Sequence, residues 1–471
     1  IASSVYSNIQ KALTWNGKER AALVLCNTAV LGNVLMFFPN EVIGASPRDY
    51  NYRSIGGYQL KKEFVIEVVK RGIETQRDVM LVHIHPRGCR GIYSGIDLRE
   101  EPEFFKSITD VVEGIRLASM VFSNDFCECD AWVYDRHRHG LDRVDKILIE
   151  GAQEFELRSP AGSPSQRVRF RERESRNVQA FGEDSVAQLK RLHFGVAGAS
   201  GLGGHIIEML ARMGVSCITI CDMDNIEESN LNRLPGATRN SLGRSKVKHY
   251  ASYARAISPS TKTITVNDSV YSDEAQKCLA KVDILFGCVD SGARLSLSRI
   301  ATLHHIPYFD IGASIRRKNG ELDFIGGQVS ITLPDRLGCL ECSHLFESLN
   351  REFNSPSLQA ADRAAGYMAD SPNPLVMHLD MILAGFAINE MLKYVWGTAN
   401  THPHILAVDM LRNTVKSHFL STEGCVSCQK DGYAGKGENA PVFVPDCDKT
   451  IDLHSLKTKD DNYPQLIHVG S

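Results

Sequence analysis

The feature that most constrains this chain is the run Gly198-Ala199-Ser200-Gly201-Leu202-Gly203, set between an apolar segment, residues 193–197, and a stretch of helical periodicity, residues 203–213. A glycine-rich turn between a strand and a helix lets backbone N–H groups approach phosphates, and the helix N-terminus adds partial positive charge. The next apolar segment, residues 217–221, ends in Asp222, whose carboxylate can take ribose hydroxyls. Residues 282–288 and 308–312 repeat the strand signal between helical stretches. This alternation predicts a doubly wound, parallel α/β sheet. The glycines and Asp222 alone fit a nicotinamide dinucleotide as well as ATP. No G-K-[ST] follows them, which excludes a P-loop.

The residues that follow discriminate. Asp224 and Asp290 are oxygen ligands of the kind Mg²⁺ takes alongside phosphate oxygens. Ser229-Asn230-Leu231-Asn232-Arg233 and then Lys246 bring positive charge suited to a triphosphate. Each residue alone reads as a surface charge. Their joint order and spacing describe a site that holds magnesium and ATP and activates a carboxylate. Two further pairs, Cys339-x-x-Cys342 and Cys425-x-x-Cys428, supply four thiolates for a tetrahedral, closed and therefore structural Zn²⁺.

A separate constellation lies in an earlier α/β unit. Residues 19–26 and 79–85 read as buried strands with a helix over 61–72 between them, and 118–123 and 129–134 as further strands. His83 and His85 are two apart at a strand end, so both side chains leave on one face. Asp97 follows a short loop later. Two imidazoles and a carboxylate leave one position on a catalytic Zn²⁺ for water. Glu19 can accept that water's proton, and the Ser94 hydroxyl can stabilise an oxyanion.

Residues 173–428 resemble the ThiF/MoeB superfamily, the Rossmann-like fold of ubiquitin-activating enzymes. The motifs match in order: Arg173-x-x-Arg176, Phe181-Gly182, the glycine loop, Asp222-x-Asp224, Ser229 to Arg233, Lys246 and Asp290. The resemblance implies that Gly198, Ser200, Gly201 and Gly203 cradle ATP, Asp222 holds ribose, and Asn230, Arg233 and Lys246 contact phosphates. It implies that Asp290 holds Mg²⁺ and that Arg176 reaches the ATP of the opposite subunit in a homodimer. Ser200 stands where glycine is usual. The implied chemistry is attack of a C-terminal carboxylate on the α-phosphate, giving an acyl-adenylate. Many relatives carry a thioester cysteine after the first C-x-x-C. This chain has no cysteine between Cys342 and Cys425, and the loop over residues 350–374 offers Ser355, Ser357 and Ser371 instead. Residues 19–134 resemble the JAB/MPN metallopeptidases, whose motif reads here as Glu19, then His83-Ile84-His85-Pro86, then Ser94-x-x-Asp97. That family cleaves after the C-terminal glycine of ubiquitin-like proteins.

The 471 residues, 43% hydrophobic and 23% charged, suffice for two or three globular domains. The expected division is a JAB/MPN-type α/β metallopeptidase domain over 1–158, a Ser/Pro/Gly-rich linker over 159–172, a ThiF-type adenylation domain over 173–435 and a tail over 436–471. A net charge of −3 gives no reason to expect nucleic acid, and no apolar run suits a membrane span. Thirteen cysteines, four of them in two C-x-x-C pairs, favour a reducing cytoplasm. Together the two resemblances imply one shared substrate, the tail of a ubiquitin-like carrier protein, with a conjugating enzyme as a candidate further partner, in a bacterial conjugation system. Activation of a sulfur carrier, and a non-catalytic scaffold that binds a ubiquitin-like protein, are the alternatives.

Overall fold

The computed structural model of the chain describes residues 1–31, 33–150, 155–158, 172–289, 291–318, 320–333, 337–342, 375–399, 401–420, 425, 427–428 and 434–436. Residues 159–171 of the expected linker over 159–172, the tail beyond 436, the loop with Ser355, Ser357 and Ser371, and Asp290 lie outside the described residues. Among the described residues no helix is long and apolar enough to cross a membrane.

The N-terminal part opens with α1 (Ser3–Ala12), β1 (Arg20–Leu31) and β2 (Val34–Gly44). It continues through β3 (Tyr50–Ser54), β4 (Gly57–Leu60), α2 (Lys62–Glu74), β5 (Asp78–Ile84) and α3 (Asp97–Thr109). Then come β6 (Leu117–Phe122), β7 (Cys129–Asp135), β8 (Gly140–Arg143), β9 (Ile147–Glu150) and β10 (Phe155–Arg158). Six strands form one sheet in the order β2-β1-β5-β6-β7-β8. Only β5 and β6 pair parallel within it. β1 is a near-continuous apolar run because both faces of the sheet are covered. Ala22, Val24, Met80, Val82 and Ile84 meet α1 through Val5, Tyr6 and Ile9. Ala21, Leu23, Val79 and Leu81 point the other way, into Phe64, Val65 and Val68 of α2 and Phe105 and Ile108 of α3.

The C-terminal part contains α4 (Ser175–Phe181), α5 (Glu183–Arg191), β11 (His193–Ala197), α6 (Gly201–Met213), β12 (Cys217–Cys221), α7 (Lys246–Ile257) and β13 (Lys262–Val266). After these come α8 (Asp273–Leu279), β14 (Ile284–Gly287), α9 (Ser291–Leu303), β15 (Tyr308–Lys318) and β16 (Glu321–Thr332). The last elements are α10 (Met377–Val395), β17 (Ile405–Asp409) and β18 (Thr414–His418). The eight-stranded sheet runs β13-β12-β11-β14-β15-β16-β17-β18. Its first five strands are parallel, as the alternation predicts. From β15 onward the pairing is antiparallel, a half-sheet that the alternating pattern does not indicate. α6, α7 and α10 cover one face, with Ile206, Leu210, Tyr250, Leu383 and Met391 fully buried. α8 and α9 cover the other through Ala275, Leu279, Leu297 and Ile300. The expected helix start at Gly203 moves back to Gly201, because the Gly204 amide already bonds the Ser200 carbonyl at 2.7 Å.

The two parts are in contact. Leu31 and Met36, at the β1–β2 turn, join the apolar cluster of Val270, Ala275 and Leu279. The Phe38 ring stacks on His305 at 6.0 Å. β9 is two-sided: Ile147 and Ile149 sit in the N-terminal core, whereas Leu148 packs on the C-terminal one. Beside it, Lys146 pairs with the buried Asp283.

Candidate active sites

The glycine loop lies at the C-terminal end of β11, where the strand order reverses between β12 and β14, the crevice in which open α/β sheets bind ligands. Gly198 holds φ at +87°, and a Cβ there would overlap the Cys288 carbonyl. A Cβ at Gly203 would overlap the Gly198 carbonyl, so the turn closes only on glycine. The Asp222 carboxylate accepts the Ala199 amide at 2.6 Å and the Asp224 amide at 2.8 Å. Burial raises its pKa, against the opposing charge of Lys246. Lys246, 5% exposed, opens α7 and puts its Nζ 2.7 Å from Asp224 and 3.9 Å from Asp222. Asn230 is buried, and its Oδ1 accepts the Glu227 amide at 3.2 Å. Arg233 donates from one terminal nitrogen to the Ser229 carbonyl and to Asn232 Oδ1, both at 3.0 Å. The structure therefore gathers Gly198, Ser200, Gly201, Gly203, Asp222, Asp224, Asn230, Arg233 and Lys246 at one sheet edge. Arg176 is not among them: it is exposed on α4 and bonds Gln179 at 3.0 Å.

The four cysteines come together as expected. Cys339 and Cys342 follow β16, Cys425 and Cys428 follow β18, and all four sulfurs lie within 4.8 Å of one another. The separations Cys339–Cys342 3.9 Å, Cys339–Cys425 3.7 Å and Cys342–Cys428 3.2 Å compare with the edge of about 3.8 Å of a tetrahedron built on Zn–S bonds of about 2.3 Å. The donor set fits a closed zinc site.

In the N-terminal sheet His83 and His85 leave β5 on the face that α2 and α3 cover. The β1–β5 register pairs Ala21 with His83, so the next residue on the same face, Glu19, stands across from His85. His83 Nε2 is 3.5 Å from Asp97 Oδ1, and His85 Nε2 is 3.3 Å from Asp97 Oδ2. These spacings suit three donors about 2.0–2.1 Å from one zinc. Both nitrogens of His83 are buried without a hydrogen bond, and Nε2, the one toward Asp97, offers its lone pair where a shared metal ion would lie. Burial lowers the His83 pKa to about 4, with Asp97 opposing, so the ring is neutral and metal-competent at pH 7. Burial also raises Glu19 to about 7, with His85 opposing and Asp97 adding, near the value that suits a proton acceptor and donor at neutral pH. Ser94 Oγ accepts the Ile96 and Asp97 amides at 3.2 Å while its own amide bonds Asp97 Oδ2 at 2.7 Å. That reciprocal cap fixes Asp97 at the start of α3.

The model of the ThiF family matches residues 173–428, more than half of the chain. The chain belongs to the ThiF family. Among curated relatives, the tRNA threonylcarbamoyladenosine dehydratase of Escherichia coli (strain K12) is 31% identical over 111 residues, 24% of this chain and 41% of that enzyme. The adenylyltransferase and sulfurtransferase UBA4 of Meyerozyma guilliermondii is 30% identical over 167 residues, 35% of this chain and 37% of the relative. The chain thus spans less than half the length of these relatives. Among solved structures, Escherichia coli MccB with ATP is 16% identical, with a TM-score of 0.45 over 55% of this chain and 75% of that one.

Two site residues escape a reading of the sequence. In the ThiF domain Asp380, in the first turn of α10, is fully buried with its carboxylate against Gly201, and neither oxygen has a hydrogen-bond partner. Its signal is a lone acid in an otherwise apolar helix. In the N-terminal part Glu101 sits one helical turn after Asp97, with Oε1 3.6 Å from His83 Nδ1. Its signal is an acid four residues after a metal-ligand candidate. Arg294, a third charged residue near the nucleotide motif, clasps the buried Asp310 from its Nε at 2.9 Å, so it braces β15.

Proposed function

We propose that this chain adenylates the C-terminal glycine of a ubiquitin-like carrier protein, and that its N-terminal part is a JAB/MPN-type zinc peptidase acting on the same tail. One observation carries the first half: the glycine loop, Asp222, Lys246 and Arg233 converge at the switch point of a ThiF-family sheet. The carrier's carboxylate oxygen forms a bond to the α-phosphorus of ATP, the bond from that phosphorus to the β-phosphate bridging oxygen breaks, and pyrophosphate leaves with the electron pair. The loop amides and α6 hold the phosphates, Asp222 the ribose, and Arg233 and Lys246 offset developing charge. Mg²⁺, with Asp290 and Asp224 as its carboxylate ligands, would add charge neutralisation on the leaving phosphates. The exposure of Arg176 on α4 supports the homodimer reading, in which this side chain reaches the ATP of a neighbouring subunit. The absence of a cysteine between Cys342 and Cys425 favours release or transfer of the adenylate without a thioester on that segment.

In the N-terminal site, Zn²⁺ held by His83, His85 and Asp97 would supply an activated water. Glu19 takes that water's proton and passes it to the leaving amine, and Ser94 donates to the carbonyl oxygen as it gains charge. Sulfur-carrier activation is the second reading, favoured by the similarity to an adenylyltransferase and sulfurtransferase. The joint test uses the small protein that co-purifies with the chain. Carrier-dependent exchange of pyrophosphate into ATP is expected, reduced at least about 100-fold by Asp290→Ala. Cleavage of a carrier fusion after the terminal glycine is expected to disappear in Glu19→Ala while bound zinc stays. Undiminished exchange in the first variant rejects the adenylation site, and undiminished cleavage in the second rejects the peptidase. Thiocarboxylate on the recovered carrier selects the sulfur reading.

A further inference from the structure

Glu101 is an oddity on purely structural grounds. It lies on α3 one turn beyond Asp97, so both carboxylates share a helix face. It is 6% exposed, and both of its oxygens are buried without a hydrogen bond. Leaving a buried carboxylate unpartnered costs several kcal/mol, so packing alone gives no reason for an acid here. Burial raises its pKa to about 8, with Ser119 and Tyr93 opposing, and Tyr93 donates its hydroxyl to Ser119 Oγ at 2.5 Å. Glu101 also faces His83, whose Nδ1 stands 3.6 Å from its Oε1. That ring is fully buried, lies between Tyr58 and Tyr93 with ring centroids 5.6 and 6.1 Å away, and has no hydrogen bond of its own at either nitrogen.

The companion histidine shows how the pair is built. His85 Nδ1 lies 3.0 Å from the Arg90 carbonyl, which can only accept. Nδ1 of His85 therefore carries the proton, and its Nε2 lone pair faces Asp97. His83 turns the same atom, Nε2, toward Asp97 and needs the same tautomer. In place of a backbone carbonyl, Glu101 is the acceptor behind it.

We propose that Glu101 is a positioning residue of the His83–His85–Asp97 centre: its carboxylate accepts the Nδ1 proton of His83 and so presents the Nε2 lone pair to a divalent zinc ion. The inference rests on the zinc reading of that centre. A carboxylate behind a ligating imidazole fixes the ring and strengthens it as a donor, and losing such a partner typically weakens metal binding about 10- to 100-fold. The two histidines are then unequal ligands, one backed by a side-chain carboxyl group and one by a backbone carbonyl.

The test is zinc binding to the full chain, measured by competition with a chromogenic chelator, beside Glu101→Gln and Glu101→Leu. Wild type is expected to hold two zinc ions, one of them lost in His85→Ala. Glu101→Gln, which keeps a neutral acceptor, should weaken that second ion about 10-fold, and Glu101→Leu should approach about 100-fold. The metal-free variants should melt no lower than wild type, because an unpartnered buried acid is gone. Nitrogen-15 spectra of zinc-loaded wild type should show the proton of His83 on Nδ1. Wild-type affinity in both variants overturns the proposal and leaves the zinc centre standing. Equal losses of melting temperature with and without zinc, at unchanged affinity, make Glu101 a packing residue and overturn it too. A wild-type chain with no zinc at His85 overturns both this proposal and the peptidase reading.

Discussion

Asp380 places a buried carboxylate beside Gly201, with the aliphatic stem of Arg233 covering the same glycine. Burial pushes its pKa up to about 7, and the Arg233 charge pulls only partly the other way. In the unfolded chain the group titrates near its ordinary value of 3.8. Between the two values the folded state holds a proton that the unfolded state has released, so folding stability falls as pH rises across that window. Asp380→Asn cannot ionise and escapes the loss. Without nucleotide, its melting temperature should exceed that of wild type little at pH 4 and most at pH 8, where the gain is on the order of 4 kcal/mol. Thermal unfolding across that range checks it, and a difference that does not vary with pH would reject it. At this scale the sequence is most informative where chemistry repeats in a fixed order. Gly198, Asp222, Arg233 and Lys246 are legible because that order and spacing serve few chemistries besides nucleotide binding. Asp380 and Glu101 are not, because each depends on a helix being laid against a distant loop or strand.

The parallel strands and the helices between them are legible as elements, since apolar runs bounded by glycine and acids leave little choice over residues 193–221. The antiparallel half is not. β16 contains a Gly326-Gly327 pair that weakens any strand signal, and it holds its place by pairing with β15 and β17. The cysteine clamp closes that half. The loop after β16 and the segment after β18 meet at the sulfurs and at Glu341, which pairs with Arg299 of α9 at 2.7 Å and accepts from Ser427. Metal binding that joins such distant segments is part of the folding free energy. Cys339→Ser should lose one zinc equivalent and, at about 3 kcal/mol, lower the melting temperature by roughly 6–12 °C. Elemental analysis beside calorimetry measures both, and a variant that keeps its zinc content would refute the clamp.

For the molecule as a whole, sequence composition suggests two bodies joined by a linker, whereas the structure also joins them by side chains. β9 buries Ile147 and Ile149 in one core and turns Leu148 to the other, because alternate residues of a strand face opposite ways. No local pattern reveals that both faces are claimed by different domains. Wild type should therefore unfold in one calorimetric transition, and Leu148→Asp should split it into two. A variant that still melts in a single transition at an unchanged temperature would show the contact to be incidental. β1 has a further consequence. Its leading end adjoins Glu19, at the histidine pair, and its last residue, Leu31, is rooted in the ThiF domain. A strand of that length is a ruler of about 40 Å at about 3.3 Å per residue. β1 is thus a rigid spacer that keeps the histidine pair a fixed distance from the point where its far end enters the ThiF domain.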